Sequence, residues 1–522
     1  MVVEWDHHNR KHPAMARYKP CDYSQLTMIP VSLADQLEAG TLEHTIHYVV
    51  QERLDLSGFD QEYHNDQTGR RAYDPRMLLQ VVLLGYARGK LSSRRLEAAC
   101  KENVIFMALC CGQRPDHSTI ADFVSGMGEE RISALFTQVL LVCEEEGLLS
   151  GTHLSIDGYK LSSNASKEWS GTHADLRQKA QKLKALVRER VREHRRNDRA
   201  KEAVGRAEPE RVERLRKKAE RIERFLTEHE PKVGRMGREV QSNVTDNQSA
   251  KIKSSHGILQ GYNANAMVDE QHQVIVHAQA FGEGDDGAVA GPMLQGAQTN
   301  LAAVGAKALS AAVISADCGY FSQRNLEACE AAAVKAYIPD PHFRQRDVRF
   351  AQARRHRRPT DKHKQDYQSK RRWFGPQDFQ WDANHERLIC PAGVKLHRSG
   401  VGMKQPDGSV VSQYRAARSA CWKCELRRKC LRHPESGNPR QVRIYHRGPQ
   451  TLTAAMRAKI DTAEGRQIYS RRLGIVEPVF ANLAAQKGMN RTTLRGRVKV
   501  NIQWRLYCVV HNLEKIGKYG LN

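Results

Sequence analysis

Three acids stand in settings where carboxylates do chemistry. Asp157 closes the strand-like run Thr152–Asp157 (THLSID), and Asp317 closes another, Ala311–Asp317 (AAVISAD). Gly158 follows the first directly, and Gly319 lies two residues beyond the second. Acids at strand ends sit at the rim of a sheet, where the chain leaves room for a ligand or a metal. An acid beside a glycine is also common in turns, so neither motif decides alone. Holding two divalent ions takes a third carboxylate, expected from a later helix. The candidate is Glu477, in a basic C-terminal stretch whose other acids are Asp461, Glu464 and Glu514. Its plainer reading is an ion-pair partner for Arg471, Arg472 or Lys487.

A second constellation is cysteine. Cys390, Cys421, Cys424 and Cys430 follow the spacing C-x30-C-x2-C-x5-C. Four thiolates in one stretch suit a tetrahedral structural zinc site, with His397 and His433 as substitute ligands. Four unligated thiols are the alternative. The other eight of the 12 cysteines are scattered and read as reduced thiols of a cytosolic protein.

Lys and Arg number 83 against 59 Asp and Glu, a net charge of +24. An excess of that size points to a polyanion, most often nucleic acid. The longest apolar run, Met77–Ala87, is broken by Gln80 and falls short of the roughly 20 residues that span a bilayer. The opening MVVEWDHHNRKHP has no apolar signal core, so the expected location is the cytoplasm, on the nucleoid, with no membrane partner.

The elements that must position these groups fall into four parts. Residues 1–145 read as helical. One helix opens at Asp74-Pro75, a second spans Arg94–Leu109, and a third has Thr119 and Asp122 in capping-box spacing. Three short helices with basic turns suit a helix-turn-helix-like DNA-binding module, with Arg94, Arg95 and Arg114 as leading side chains. A plain helical bundle is the alternative.

Residues 146–340 change period. The strand ending at Asp157 is followed by a hairpin, Gly261–Asp269 with Gln273–Phe281, then helix, strand, helix and the short strand Val334–Ile338. That order predicts a mixed sheet with a parallel half. Residues 167–245 interrupt it as a helical hairpin, broken at Ala207–Glu210. A basic, irregular, cysteine-rich insertion fills 341–460 and includes the run Arg354–Arg358, and 461–522 closes the core with helices.

Taken in order, these segments resemble the DDE transposases of bacterial insertion sequences, nearest the IS-eleven-eighty-two-like branch. The resemblance rests on YDPRMLLQVVLLGYARGKLSSRRLEAAC, RPDHSTIADF, the IDG-x-K-x-x-x-NASK motif, TDNQSAKIK, GILQGYNANAMVD, ADCGYFS, CPAG with CWKCELRRKC, VEPVF and LRGRVKVNIQWRLYCVVHNLEKI. It implies an α/β fold, an RNase H-like catalytic core beside an all-α N-terminal DNA-binding domain. It implies double-stranded DNA as partner, both element ends and target, and a homodimer on paired ends. It also implies two Mg²⁺ (or Mn²⁺) ions on Asp157, Asp317 and Glu477, with Asp157 bridging. Two such ions roughly 3.5–4 Å apart activate an attacking oxygen and stabilise a poor leaving one. An RNase H-fold nuclease without strand transfer, or a copy that only binds DNA, are the alternatives.

This chain departs from the family around its last acid. Tyr469 and Arg472 keep the Y-x-x-R spacing of a set expected on terminal DNA, but four residues rather than three separate Arg472 from Glu477. The lysine expected seven positions beyond the glutamate is Ala484, and Lys487 comes ten beyond. At 100° per residue Lys487 points about 80° away from Glu477. Pro478 predicts a helix that starts or kinks at Glu477. Arg491, Arg495 and Arg497, with the 354–358 run, are expected on phosphates.

Overall fold

A computed structural model describes residues 32–60, 72–199, 207–234, 237–254, 257–350, 373–385, 387–404, 410–446 and 451–521. The arginine run 354–358 lies outside the described residues.

The N-terminal helices follow their caps. After α1 (Leu42–Tyr48), α2 (Pro75–Ala87) starts on its proline, and Asp74 accepts from Arg76 N. Met77–Tyr86 is buried throughout, so α2 is a core helix. The single helix expected over Arg94–Leu109 is two, α3 (Ser93–Glu102) and α4 (Val104–Leu109). Asn103 leaves helical geometry (φ −112°, ψ 121°) and accepts from Ile105 N and Phe106 N, an N-cap hidden inside an apolar run. The third helix, α5 (His117–Gly126), is capped by Asp116 rather than Thr119. Asp116 bonds Ser118 N and Thr119 N at 2.9 Å each. α6 (Gly128–Glu145) completes this part.

The central sheet combines β1 (His153–Ser162), β2 (Ala250–Ser254), β3 (Gly257–Asp269), β4 (Ile275–Phe281), β5 (Val313–Ala316) and β6 (Lys335–Tyr337). Its order is β4-β3-β1-β5-β6, with β2 beside the first half of β3. β1, β3 and β4 alternate in direction, while β1, β5 and β6 run parallel. The expected mixed sheet with a parallel half is present. β1 does not end at Asp157, however. It continues to Ser162 because β3 pairs with it from Leu154 to Ser162. β5 stops at Ala316, so Asp157 still lies at a rim on that side. α9 (Ala290–Ala303) and α10 (Gln323–Ala331) connect the parallel strands.

One helix joins the two regions. α14 (Arg497–Tyr519) lies against β4, α6, α2 and α1, with Trp504, Leu506, Tyr507, Val509, Val510 and Leu513 buried. β4 is an edge strand, and α14 satisfies it with two amides. Asn501 Oδ1 accepts from Ala280 N at 2.7 Å and its Nδ2 donates to Ala280 O at 3.2 Å. Asn512 treats Ile275 in the same way, both bonds 2.9 Å. Eleven residues bring the two amides back to one helix face, and the open edge is closed without another strand.

The insertion helices are α7 (His173–Arg199) and α8 (Ala207–Glu228), packed through Leu176, Ala180, Ile222 and Phe225. Ala207–Glu210 is the first turn of α8 rather than a break. Pro209 is tolerated there, because the first-turn N–H groups have no intrahelical acceptor.

The segment expected to be irregular holds a five-stranded antiparallel sheet, β11-β10-β9-β8-β7. Its strands are β7 (Gln380–Asp382), β8 (Arg387–Ile389), β9 (Lys395–Lys404), β10 (Val410–Ala416) and β11 (Gln441–His446). Leu388, Leu396, Tyr414 and Val442 form its small core with Phe379. Short strands with arginine and lysine on the open face mask the alternation in the sequence. The closing helices before α14 are α11 (Leu452–Asp461), α12 (Ala463–Ser470) and α13 (Arg472–Ala481).

Candidate active site

Asp157 and Asp317 come together as strand neighbours. Ile156 pairs with Ala316 in the parallel register, so the next residue on each strand is one of the two acids. Asp317 then N-caps a short turn, accepting from Gly319 N at 2.8 Å. Gly158 N donates to Asp157 Oδ1 at 2.8 Å. Burial pushes the Asp157 carboxyl up to about 6; Arg472 pulls against that shift, while Asp317 and Asp286 add to it.

Arg472 occupies the other side of Asp157. Its Nη1 donates to Asp157 Oδ2 at 3.0 Å, and the residue is 7% exposed. Tyr469 lies near the same guanidinium: burial pushes its phenol up, the guanidinium pulls it down, and its ring meets Phe343 edge-on at 5.2 Å. Both residues were expected on DNA. Arg472 is instead a buried partner of an acid, because the turn between α12 and α13 aims it at β1.

Glu477 is exposed and makes no hydrogen bond or ion pair among the described residues. Five residues beyond Arg472, it lies about 7.5 Å along the helix and about 140° around it. The helix does not begin or kink at Glu477. It starts at Arg472, and Pro478 sits inside it. The carbonyl that Pro478 cannot bond, Gly474 O, accepts instead from Gln273 Nε2 at 3.2 Å. A side chain from the β3–β4 turn thus offsets the lost helix bond.

Lys487 points away, as its helical angle predicts. It is 1% exposed, and its Nζ bonds Asn482 Oδ1 at 2.9 Å and Glu514. A lysine so enclosed cannot contact DNA. Arg94, Arg95, Arg114, Arg491, Arg495 and Arg497 are all exposed. The 491–497 loop is tied to the NASK motif. Arg491 Nη2 donates to Asn164 Oδ1 at 3.2 Å, Arg495 Nε donates to Asn164 O at 2.9 Å, and Asn164 Nδ2 donates to Thr493 O at 3.1 Å. Thr493 and Leu494 share a concavity of about 230 Å³ with Ser92, Ser93 and Leu96. The loop and the start of α3 therefore border one groove.

Two matches to protein families bear on this arrangement. Residues 389–517 match the family described as a transposase DDE domain, and residues 31–126 match a transposase domain family (DUF772). These two matches support a DDE transposase of insertion sequences. No curated protein matches the chain. The first match takes in all four clustered cysteines, all of α13 and most of α14; Asp157 and Asp317 lie outside both matches. A transposase DDE domain implies metal-dependent DNA cleavage.

Among the described residues no three His, Cys, Asp or Glu side chains are grouped so as to hold an ion. The donor chemistry fits a hard cation, with the two carboxylates on neighbouring strands, although the Arg472 guanidinium on Asp157 would compete with it. The four clustered cysteines line one small cavity of about 20 Å³ with Phe374 and Arg440, and neither His397 nor His433 lines it. Backbone N–H groups of Val394 and Arg440 donate to the sulfurs of Cys390 and Cys421 at 3.3 and 3.4 Å. No helix among the described residues is long and apolar enough to cross a membrane.

Sequence reasoning missed Asp286, in the loop after β4. Its carboxylate accepts from Lys160 Nζ at 3.2 Å on both oxygens and from Asn263 Nδ2 at 2.5 Å. The signal was local: GEGDDG reads as a turn, and nothing in it shows which acid faces β1.

Proposed function

We propose that the protein cuts DNA at the ends of its insertion sequence and joins the freed 3′-hydroxyl to target DNA, as a member of the IS-eleven-eighty-two-like branch. The observation that carries the reading is the Asp157–Asp317 pair on adjacent parallel strands. Asp157, Asp317 and Glu477 would hold two Mg²⁺ or Mn²⁺ ions, which supply Lewis-acid activation of the attacking oxygen and charge for the leaving one. Glu477 is assigned from the resemblance alone, since it is exposed and lies about 140° around the helix from Arg472. Water is the first nucleophile and the 3′-hydroxyl the second, so no side chain bonds covalently to DNA. Arg472 and Tyr469 orient the Asp157 carboxylate, which must be ionised to bind a cation. The test uses labelled duplexes carrying the element's ends, with a plasmid as target. Joined product is expected; nicks without joining would favour the nuclease alternative.

DNA is held by the groove between the start of α3 and the 491–497 loop, and two chains act on paired ends. Arg94, Arg95 and Arg114 read the ends, and Arg491, Arg495 and Arg497 neutralise phosphates. Each phosphate contact removed should flatten the log–log salt dependence of binding by about 0.9. The triple change of Arg491, Arg495 and Arg497 to Gln should lower that slope by about 2 to 3 and leave the preference for element ends unchanged. Equal loss of preference would assign base reading to this loop as well.

Cys390, Cys421, Cys424 and Cys430 are assigned a structural zinc ion. Support comes from the shared cavity and from the N–H groups aimed at two of the sulfurs, which stabilise thiolates. Elemental analysis should find about one zinc per chain, lost in Cys421→Ser and Cys424→Ser. Full thiol reactivity and no zinc in the purified protein would overturn the assignment.

A further inference from the structure

The rim holds a third carboxylate whose surroundings are cut to fit it. A Cβ on Gly158 would lie 2.7 Å from Asn263 Oδ1 and 3.3 Å from Asp286 Oδ1. A Cβ on Gly319 would lie 3.0 Å from Asp286 Oδ2 and 3.0 Å from Asp317 Oδ1. Gly158 and Gly319 thus leave the space in which the Asp286 carboxylate sits, with Asp317 on the far side of Gly319. Lys160, on β1 between Gly158 and Ser162, completes the arrangement: its Nζ bonds both Asp286 oxygens at 3.2 Å and Asn263 Oδ1 at 2.8 Å.

A loop staple would explain an ion pair here, but the loop is already held through its backbone. Asn325 Nδ2 donates to Asp286 O at 2.8 Å, and Ser322 Oγ donates to Gly287 O at 2.6 Å. A staple also gives no reason for Asp286 Oδ2 and Asp317 Oδ1 to border the same glycine. Across the rim, Arg472 is a buried cation drawn to Asp157, and its Nε has no hydrogen-bond partner among the described residues. The rim therefore takes up positive charge on both sides.

We propose that Asp286 is a working acid of this rim: it strengthens the hold of Asp157 and Asp317 on a divalent cation, and Lys160 is the counter-ion that keeps it in place until the cation arrives. The proposal rests on the reading of Asp157 and Asp317 as metal-binding acids. Two like-charged carboxylates facing one point are stabilised by a cation between them, and a lysine bound to one of them competes with that cation.

The test is Mn²⁺ titration of the full chain by calorimetry, without DNA. Asp286→Asn should weaken binding tenfold or more. Lys160→Met should tighten it several-fold, since the competing charge is gone. A staple would move both variants in the same direction, with a matching fall in melting temperature. Lys160→Gln, which keeps a donor toward Asn263, is the second variant should Lys160→Met fail to fold, and it should also tighten binding. Mn²⁺ affinity unchanged in Asp286→Asn while Asp317→Asn abolishes it would overturn the role of Asp286 alone. Unchanged affinity in Asp317→Asn as well would overturn the metal-site reading beneath it.

Discussion

Asp157→Asn and Asp317→Asn should each leave a protein that binds its DNA ends normally and cuts them at least a thousandfold more slowly. An amide keeps the shape and much of the hydrogen bonding but cannot supply the negative oxygen a hard cation requires. Glu477→Gln should fall with them if it is the third ligand; wild-type cleavage by that variant would remove Glu477 from the site. Asp157→Asn carries a second expected result, on stability. The folded-state carboxyl titrates near 6, above its ordinary value near 4, so folding favours the protonated form. At pH below 4 both states are protonated and there is no penalty. As pH rises from about 4 to 6 the unfolded chain ionises first and stability falls, and above 6 the full cost of about 3 kcal/mol stands. Arg472 offsets part of the burial cost, and this figure is what remains after its pull. Relative to the parent, Asp157→Asn should therefore gain up to that amount between pH 4 and pH 8, on top of a pH-independent cost of leaving Arg472 buried without its counter-charge. Urea denaturation at the two pH values measures the difference. The same stability difference at both pH values would show that the Asp157 carboxyl is not destabilised by its burial. The same titration predicts that divalent-ion binding weakens as pH drops through 6.

Breaking the Lys487–Glu514 pair should cost about 3–5 kcal/mol, comparable to emptying a large core position. Lys487 is 1% exposed, and its ammonium reaches only Asn482 and Glu514 among the described residues. Glu514→Gln leaves that ammonium enclosed without a counter-charge, which costs more than the pair itself contributes. The double variant Lys487→Met with Glu514→Gln removes both charges and should recover most of the loss. Denaturation midpoints of the three variants test this, and equal losses in single and double variants would show that packing rather than charge is at stake. DNA affinity of Lys487→Met, measured where the variant is folded, should stay within twofold of the parent. A steep fall there would restore a DNA role for this lysine.

Short-range signals were legible in this chain because their causes lie within a few residues. Asp74-Pro75 starts a helix as its chemistry requires, and the alternating run around Gly261–Phe281 forms a hairpin closed by a residue at positive φ, Gln273. The mixed sheet and its parallel half could be read from the succession of periods, whereas the end expected for the first strand at Asp157 could not, because pairing with β3 carries it on to Ser162. Local signals also misled where two coincided. Asn103 and Asp116 capped helices that apolar periodicity and capping-box spacing had placed differently. The sheet of the cysteine-rich segment stayed hidden because three-residue strands are too short to show an alternation.

The tertiary structure alone decided which charges meet. Arg472 reaches Asp157 rather than solvent because α13 crosses β1, and Glu477 on the same helix faces outward. Lys487 is enclosed because α14 brings Glu514 to it, and Gly474 O finds its donor only where the β3–β4 turn meets α13. Asp286 joins the rim because a loop after β4 folds back over Gly158 on β1 and Gly319 in the turn after β5. Sequence by itself determined the types of group present and the elements that carry them. The pairings among those groups depend on sheet register and helix crossing, which are set by the burial of a core shared across the whole chain and are written in no one segment.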